Sequence, residues 1–212
     1  MKAQNVYEMI RREKIIVIVR GVETDVIIEI AEAILKAGIT LFEVACNTEG
    51  VFEMIRLLDK KLGDKMIIGA GTCITTDLCK KAIEAGAKYI IAPDVNPDVI
   101  DYCVKRDIAV LPGAATATEI LTAKRYGAKM VKIFPASAIG IDYIKALRDP
   151  IDDIDFVAVG GVRPENIRDF FSAGCIAVAI GASVVRKDFV AKRDWAAITD
   201  TARRYVQKVQ MM

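Results

Sequence analysis

Two ionisable residues interrupt apolar runs of this sequence: Lys132 in Met130-Val131-Lys132-Ile133-Phe134 and Glu43 in Thr40-Leu41-Phe42-Glu43-Val44-Ala45. Period-two alternation puts Met130, Lys132 and Phe134 on one face of a strand and Val131 and Ile133 on the other. An ammonium among apolar neighbours is costly unless paired, and desolvation lowers its pKa toward the range where a neutral amine attacks a carbonyl. The other reading is a lysine that buries its stem and carries its head from the strand end into solvent. Glu43 has the same character: a carboxyl there has a raised pKa or a cationic partner. Alternatively it forms an ion pair with Lys132 or Arg20 that only closes the core. The chain contains no histidine. That removes Ser-His-Asp and Cys-His nucleophile systems and His-bearing metal sites, and leaves acid–base work to Glu, Asp, Lys, Tyr or Cys. A lysine nucleophile with a glutamate proton shuttle is the most economical pair that remains.

Further polar or small residues sit at the ends of apolar runs. Arg20 closes Ile15–Val19 and precedes Gly21, which suits bidentate capture of a carboxylate as well as it suits an ordinary surface role. Thr72 ends Gly69-Ala70-Gly71-Thr72 and offers a hydroxyl beside closely approaching backbone, or a turn or cap. Gly160-Gly161 and Gly181-Ala182-Ser183 are two glycine-bearing turns that could bind phosphate through main-chain N–H groups. Arg163 could add charge there, although Pro164 at a first helical turn would explain that segment alone. Asn47, Pro93 and Pro112-Gly113 complete the set of strand-end candidates.

The elements that must position these residues follow from the pattern. Apolar runs suggest eight strands, at Ile15–Val19, Ile39–Ala45, Met66–Gly69, Tyr89–Ala92, Ile108–Leu111, Met130–Phe134, Phe156–Val159 and Ile176–Ile180. Most are separated by helical periodicity, as in Ile27, Ile30, Ala31, Ile34 and Leu35. Ala37-Gly38, Ala85-Gly86, Tyr126-Gly127 and Ala173-Gly174 supply helix stops. Thr24, Thr76-Asp77, Asn96 before Pro97, and Thr116 three residues before Glu119 read as helix starts. A unit of about 20 to 27 residues repeated eight times predicts one α/β domain, residues 1–212, closed as a (β/α)8 TIM barrel with an N-terminal helix. A doubly wound open sheet is the rival, but no Gly-x-Gly-x-x-Gly opens a first helix. In a barrel the ligand site lies at the C-terminal ends of the strands, where the candidates above cluster.

The 212 residues are 53% hydrophobic and 27% charged with net charge +2, which excludes a disordered chain and a basic nucleic-acid footprint. The short basic spots Lys60-Lys61, Arg11-Arg12 and Arg203-Arg204 lack interleaved aromatics. Trp195 and Ala191–Val209, with Tyr205 at helical spacing, read as a terminal helix docked on the barrel. The five cysteines are irregularly spaced and contain no Cys-x-x-Cys, so no disulfide framework or thiolate zinc site is indicated, and four of the five read as small core residues. With no signal-peptide pattern and no apolar run long enough for a bilayer, the expected setting is the cytoplasm, without membrane or nucleic-acid partners.

Taken in order, Phe42-Glu43-Val44, Gly69-Ala70-Gly71-Thr72, Ala92-Pro93, Leu111-Pro112-Gly113, Val131-Lys132-Ile133-Phe134-Pro135-Ala136 and Ala158-Val159-Gly160-Gly161-Val162 resemble the 2-keto-3-deoxy-6-phosphogluconate aldolases and their 2-keto-3-deoxy-6-phosphogalactonate branch. The likeness spans nearly the whole chain. It implies a class I aldolase of carbohydrate metabolism, of Entner–Doudoroff type, usually a homotrimer and working without metal or cofactor. Lys132 would form a Schiff base with the C2 keto group and Glu43 would shuttle protons. Arg20, Thr72, Pro93, Phe134 and Asn47 would surround the keto acid, and Gly160, Gly161, Gly181, Ala182 and Ser183 would hold phosphate. Pyruvate and glyceraldehyde 3-phosphate would be the products.

Departures from the gluconate pattern are informative. Asn47 stands where many relatives carry an Arg that holds the carboxylate, which would pass that task to Arg20, as in the galactonate branch. Val159 replaces a frequent Thr, and Ala182 stands where a serine is expected, with Ser183 one place later. Ala114–Glu119 and Ser137–Leu147 are also closer to the galactonate branch. Two other readings differ in kind. One is a phosphate-binding isomerase or synthase that uses Glu43 as a base without covalent chemistry; the other is a barrel that binds a phosphorylated metabolite without turning it over.

Overall fold

The computed structural model describes residues 1–211. Nine parallel strands alternate with helices: β1 (Ile15–Val19), β2 (Leu41–Ala45), β3 (Ile67–Gly71), β4 (Tyr89–Ile91), β5 (Ala109–Leu111), β6 (Gly113–Ala114), β7 (Met130–Ile133), β8 (Asp155–Val159) and β9 (Cys175–Ile180). They are hydrogen-bonded in the order β5-β4-β3-β2-β1-β9-β8-β7-β6. The two ends of that order are consecutive pieces of one segment, because only Pro112 separates β5 from β6. Proline has no N–H to give to a ladder. β5 therefore pairs back to β4, β6 pairs on to β7, and the Lys132 N–H donates to the Pro112 carbonyl at 2.8 Å. The nine strands are thus eight staves of a barrel, the fifth bent at proline.

The strands divide the interior into two apolar layers. Ile16, Leu41, Tyr89, Leu111, Met130 and Val157 fill the barrel, joined from below by Val6, Tyr7 and Ile10 of the helix Ala3–Glu13. Tyr7 accepts from the Val110 N–H at 3.0 Å, which ties this plug to the fifth stave. The alternate residues, such as Val17, Phe42, Ile68 and Phe156, face the surrounding helices. Alternation along each strand therefore decides which side chains can reach the mouth, as Leu41 and Met130 inside place Glu43 and Lys132 inside as well.

Helix stops follow the sequence expectation: Gly38, Gly86, Gly127 and Gly174 all adopt positive φ. Asn96 caps Pro97–Val104, and Thr116 with Glu119 forms a complete capping box. Two expected starts are corrected. Thr75, not Thr76-Asp77, caps Thr76–Glu84 by accepting from the Leu78 N–H, since its extended backbone points the hydroxyl at the open amides. Thr24 opens a single 3-10 turn with no side-chain cap. The terminal helix runs Trp195–Gln210 and docks through buried Ile198, Ala202 and Tyr205. Among the described residues no helix is long and apolar enough to cross a membrane.

Candidate active site

Glu43 and Lys132 are the only acidic or basic side chains buried among the described residues, 1% and 4% exposed. They belong to the second and sixth staves, which stand opposite in a ring of eight, and both face inward. Each has a glycine as lateral neighbour on its inner face: Glu43 pairs with Gly69, and Lys132 with Gly113. The missing side chains are space that other groups use. A Cβ on Gly69 would lie 2.2 Å from the Tyr89 ring, and one on Gly113 would lie 2.3 Å from the Pro93 carbonyl. One turn of pleat higher, a Cβ on Gly71 would fall 1.6 Å from Glu43 Oε1. The carboxyl thus lies over the bare end of β3, which explains why Gly69-Ala70-Gly71 recurs at alternate positions.

No ion pair joins the two groups. Glu43 Oε2 is buried without a hydrogen-bond partner, as is the Tyr89 hydroxyl. Burial lifts the Glu43 carboxyl from 4.5 to about 7, against the pull of the Lys132 and Arg20 charges. Burial also holds the Lys132 amine below its ordinary value; the Glu43 charge opposes this and the Arg20 charge adds to it. A carboxyl poised near neutrality can give and take a proton in one cycle, and a less basic amine is more often neutral and nucleophilic. The lysine therefore does not snorkel, and the purely structural ion pair considered from sequence is absent.

Lys132 forms part of the wall of a cavity of about 620 Å³ at the C-terminal mouth, together with Arg20, Phe134, Gly160, Gly161, Gly181, Ala182 and Ser183. Lys132 Nζ stands 4.6 Å from the centre of the Phe134 ring, which also packs on Gly160. Arg20 reaches across the second stave and donates to Thr72 Oγ1 at 3.2 Å. Thr72 holds a left-handed backbone, φ 57°, unusual for a β-branched residue, that turns its hydroxyl toward this corner. Thr48 accepts from the Gly21 N–H and fixes the loop behind Arg20.

At the other end of the cavity the two glycine turns meet. Gly160 and Gly161 have φ of 96° and 73°, and the N–H groups of Gly160, Gly161, Ala182 and Ser183 donate to no backbone carbonyl. Asn166 braces the first turn, receiving the Arg163 N–H and donating to the Gly161 carbonyl, and Tyr205 donates to the Val162 carbonyl from the terminal helix. Grouped N–H donors of this kind suit an anion.

Not every sequence candidate joins the cavity. Asn47 is exposed in the turn after β2 with no hydrogen bond to the site. Pro93 ends the fourth stave, half-buried against Gly113 rather than in the cavity wall. Glu43 and Thr72 likewise stand outside that wall, Thr72 being joined to it by its hydrogen bond with Arg20. Two polar cavity residues escaped the sequence reading. Ser137, whose Oγ fills the space beside Gly161, follows the cis Phe134-Pro135 peptide, and Lys187 begins the short helix Lys187–Ala191. Only their position just past a strand end could have flagged them.

Among the described residues Lys132 is the single buried lysine, and an amine so placed at the C-terminal mouth of a barrel has the chemistry for attack on carbonyl compounds. A family profile described as KDPG and KHG aldolase matches residues 6–201, and the chain belongs to that aldolase family. It is 34% identical over 197 residues to the 2-dehydro-3-deoxy-6-phosphogalactonate aldolase of Escherichia coli strain K12, covering 92% of this chain and 96% of the relative. Among solved structures, one described as native KDPGal superposes with TM-score 0.87 at 34% identity, over 93% of this chain and 94% of the other. The KDPG aldolase of Legionella pneumophila, with pyruvate captured as a covalent carbinolamine intermediate, superposes with TM-score 0.83 at 28% identity, over 89% and 91%.

Proposed function

We propose that this protein is a class I aldolase that cleaves 2-keto-3-deoxy-6-phosphogluconate or its C4 epimer, 2-keto-3-deoxy-6-phosphogalactonate, to pyruvate and glyceraldehyde 3-phosphate. The observation that carries the reading is the buried Lys132, its amine made less basic by that burial, on the stave opposite the equally buried Glu43. The Lys132 amine adds to the C2 keto carbon. Glu43 supplies the proton that lets the carbinolamine lose water, and the resulting iminium withdraws electrons from the C3–C4 bond. Glu43 then takes the C4 hydroxyl proton as that bond breaks, releasing the aldehyde and leaving an enamine of pyruvate. Protonation at C3 and hydrolysis free pyruvate and the lysine.

Arg20 with Thr72 receives the keto-acid carboxylate, a role supported by their mutual hydrogen bond at the cavity wall. Residue 47 is exposed and contributes nothing to that grip, which favours the arrangement expected for the galactonate branch. The amides around Gly160, Gly161, Gly181, Ala182 and Ser183 hold the 6-phosphate, with Lys187 and Arg163 as cations on the same wall. By resemblance, the working form is a homotrimer, acting in the cytoplasm in an Entner–Doudoroff type of sugar-acid breakdown. Sedimentation mass measures the first of these, and initial rates on the two epimers, phosphorylated or not, measure the substrate preference.

Borohydride added with pyruvate tests the mechanism. A reduced pyruvyl adduct on Lys132, found by peptide mass, is the expected result, together with loss of cleavage in Lys132→Ala. An unmodified amine in a protein that still turns over would point to the non-covalent isomerase or synthase reading and remove the Schiff base.

A further inference from the structure

Four of the five cysteines gather beside the carboxylate-binding corner, although the sequence scatters them. Cys46 lies in the turn after β2 and Cys73 two residues past β3, with Cys79 and Cys103 behind them on the helices Thr76–Glu84 and Pro97–Val104. The Sγ atoms of Cys46 and Cys73 are 3.3 Å apart. A disulfide holds them at about 2.05 Å, so roughly 1.2 Å of approach separates the thiol pair from a covalent link. The backbones are already side by side, since the Cys46 N–H donates to the Gly71 carbonyl at 2.7 Å. Closing the link asks for rotation of the two side chains and a shift of their turns.

The two thiols differ in access. Cys46 is half-buried and Cys73 fully enclosed. The contacts of Cys73 with Cys46 and Cys79, and its burial, push its thiol pKa far up. A solvent-borne oxidant meets Cys46 first, with a second sulfur waiting behind it, as in an attacking and a resolving thiol.

We propose that Cys46 and Cys73 form a modification site that takes a hydroperoxide and closes to an intramolecular disulfide, loosening the grip of Arg20 and Thr72 on the keto acid. The Cys46 thiolate attacks one peroxide oxygen, the O–O bond breaks, and hydroxide leaves with sulfenic acid on Cys46. Cys73 sulfur then attacks that sulfur, the S–O bond breaks, and the Cys73 proton leaves with the hydroxide as water. Two thiols are oxidised by two electrons and one peroxide is reduced to two waters. Cys73 is bonded directly to Thr72, whose left-handed backbone presents the hydroxyl to Arg20. Drawing Cys73 toward Cys46 moves that hydroxyl out of a bond that is already 3.2 Å long.

The test is titration of the full chain with hydrogen peroxide, followed by alkylation and tryptic mapping. Peptides 37–56 and 66–80 should appear joined, with the loss of two hydrogen atoms. Because peptide 66–80 carries both Cys73 and Cys79, fragmentation must place the link on Cys73. The linked protein should show a KM for its keto acid about tenfold higher, the effect of one lost charge-assisted contact, with kcat little changed and recovery on adding dithiothreitol. Cys46→Ser should retain basal kinetics and lose the peroxide response; Cys73→Ala should do the same while leaving Cys46 to gain oxygen. Addition of oxygen to Cys46 without a link, a link through Cys79, or no reaction would overturn the site. A Cys46–Cys73 link with unchanged KM would overturn its coupling to Arg20 and Thr72. The link is read by mass, so it stands or falls independently of the aldolase assignment.

Discussion

Replacing Glu43 by Gln removes the charge and keeps the shape, so it isolates what burial does to this carboxyl. The group titrates near 7 when folded against 4.5 when exposed. Between those values the unfolded chain releases its proton while the folded chain keeps it, so the folded state binds more protons and stability falls as pH rises. At ~1.4 kcal/mol per pH unit of separation, the ionised carboxyl costs the folded protein about 3 kcal/mol above pH 7 and nothing below about pH 4.5. Glu43→Gln should therefore match the parent in stability at pH 4.5, gain on it steadily to pH 7, and stay ahead by up to about 3 kcal/mol at pH 8. The attraction between the Glu43 and Lys132 charges is already contained in that shift.

The assay is urea unfolding of both proteins at equal concentration, in steps from pH 4.5 to 8, alongside cleavage rates. The gain in stability should accompany a loss in kcat of about 100-fold or more, the usual worth of a positioned acid–base group. A stability difference that does not change with pH would refute the reasoning, because it would mean that Glu43 ionises as freely in the barrel as in water.

Other outcomes follow from the geometry around this pair. Gly71→Ala puts a methyl where Glu43 Oε1 now sits, 1.6 Å away, on a backbone that accepts alanine. The fold should survive by circular dichroism while kcat falls about 100-fold as the carboxyl swings aside. Arg20→Lys keeps the charge but loses the planar fork, so KM for the keto acid should rise about tenfold with kcat nearly unchanged. Gly161→Ala combines a φ of 73° with a Cβ 1.9 Å from Ser137 Oγ, which should displace the turn. Its KM should rise at least about tenfold for phosphorylated substrates, one strong charge-assisted contact being worth that much, and little for unphosphorylated ones; equal losses on both would refute an anion role for this turn.

What the sequence made legible was whatever depends on local periodicity. The strand at Met130 showed Lys132 sharing a face with Met130 and Phe134, and the barrel made that face the inner one. The stop glycines and the Thr116–Glu119 box were equally readable because each concerns only a few neighbouring residues. The split fifth stave was not readable, since it arises from Pro112 having two different neighbours, β4 on one side and β7 on the other. Thr72 could be named but not its backbone, which a β-branched residue seldom adopts. Ser137 and Lys187 were missed because they sit in helices of four and five residues past the strand ends, too short for a period to mark a direction. Asn47 was carried as a candidate by its spacing from Glu43, but the turn after β2 leaves it exposed.

The separation of Lys132 and Glu43 on opposing staves follows from what each must be. In contact, an ammonium and a carboxylate stabilise one another's charge, so the amine would become more basic and the carboxyl more acidic. Each would then lose the property that chemistry near neutrality requires. Apart but both buried, each is governed chiefly by desolvation, which acts in opposite directions on an acid and a base. Without histidine, this is how the barrel obtains a carboxyl poised near neutrality and a less basic amine together. The glycines complete the arrangement: Gly71 gives the carboxyl a resting place on the wall, and Gly113 clears the stave next to Lys132. A larger residue at Gly71 would push the carboxyl off the wall toward the barrel axis and the Lys132 charge, cancelling the shifts that make the two groups useful, whereas one at Gly113 would strike the Pro93 carbonyl instead.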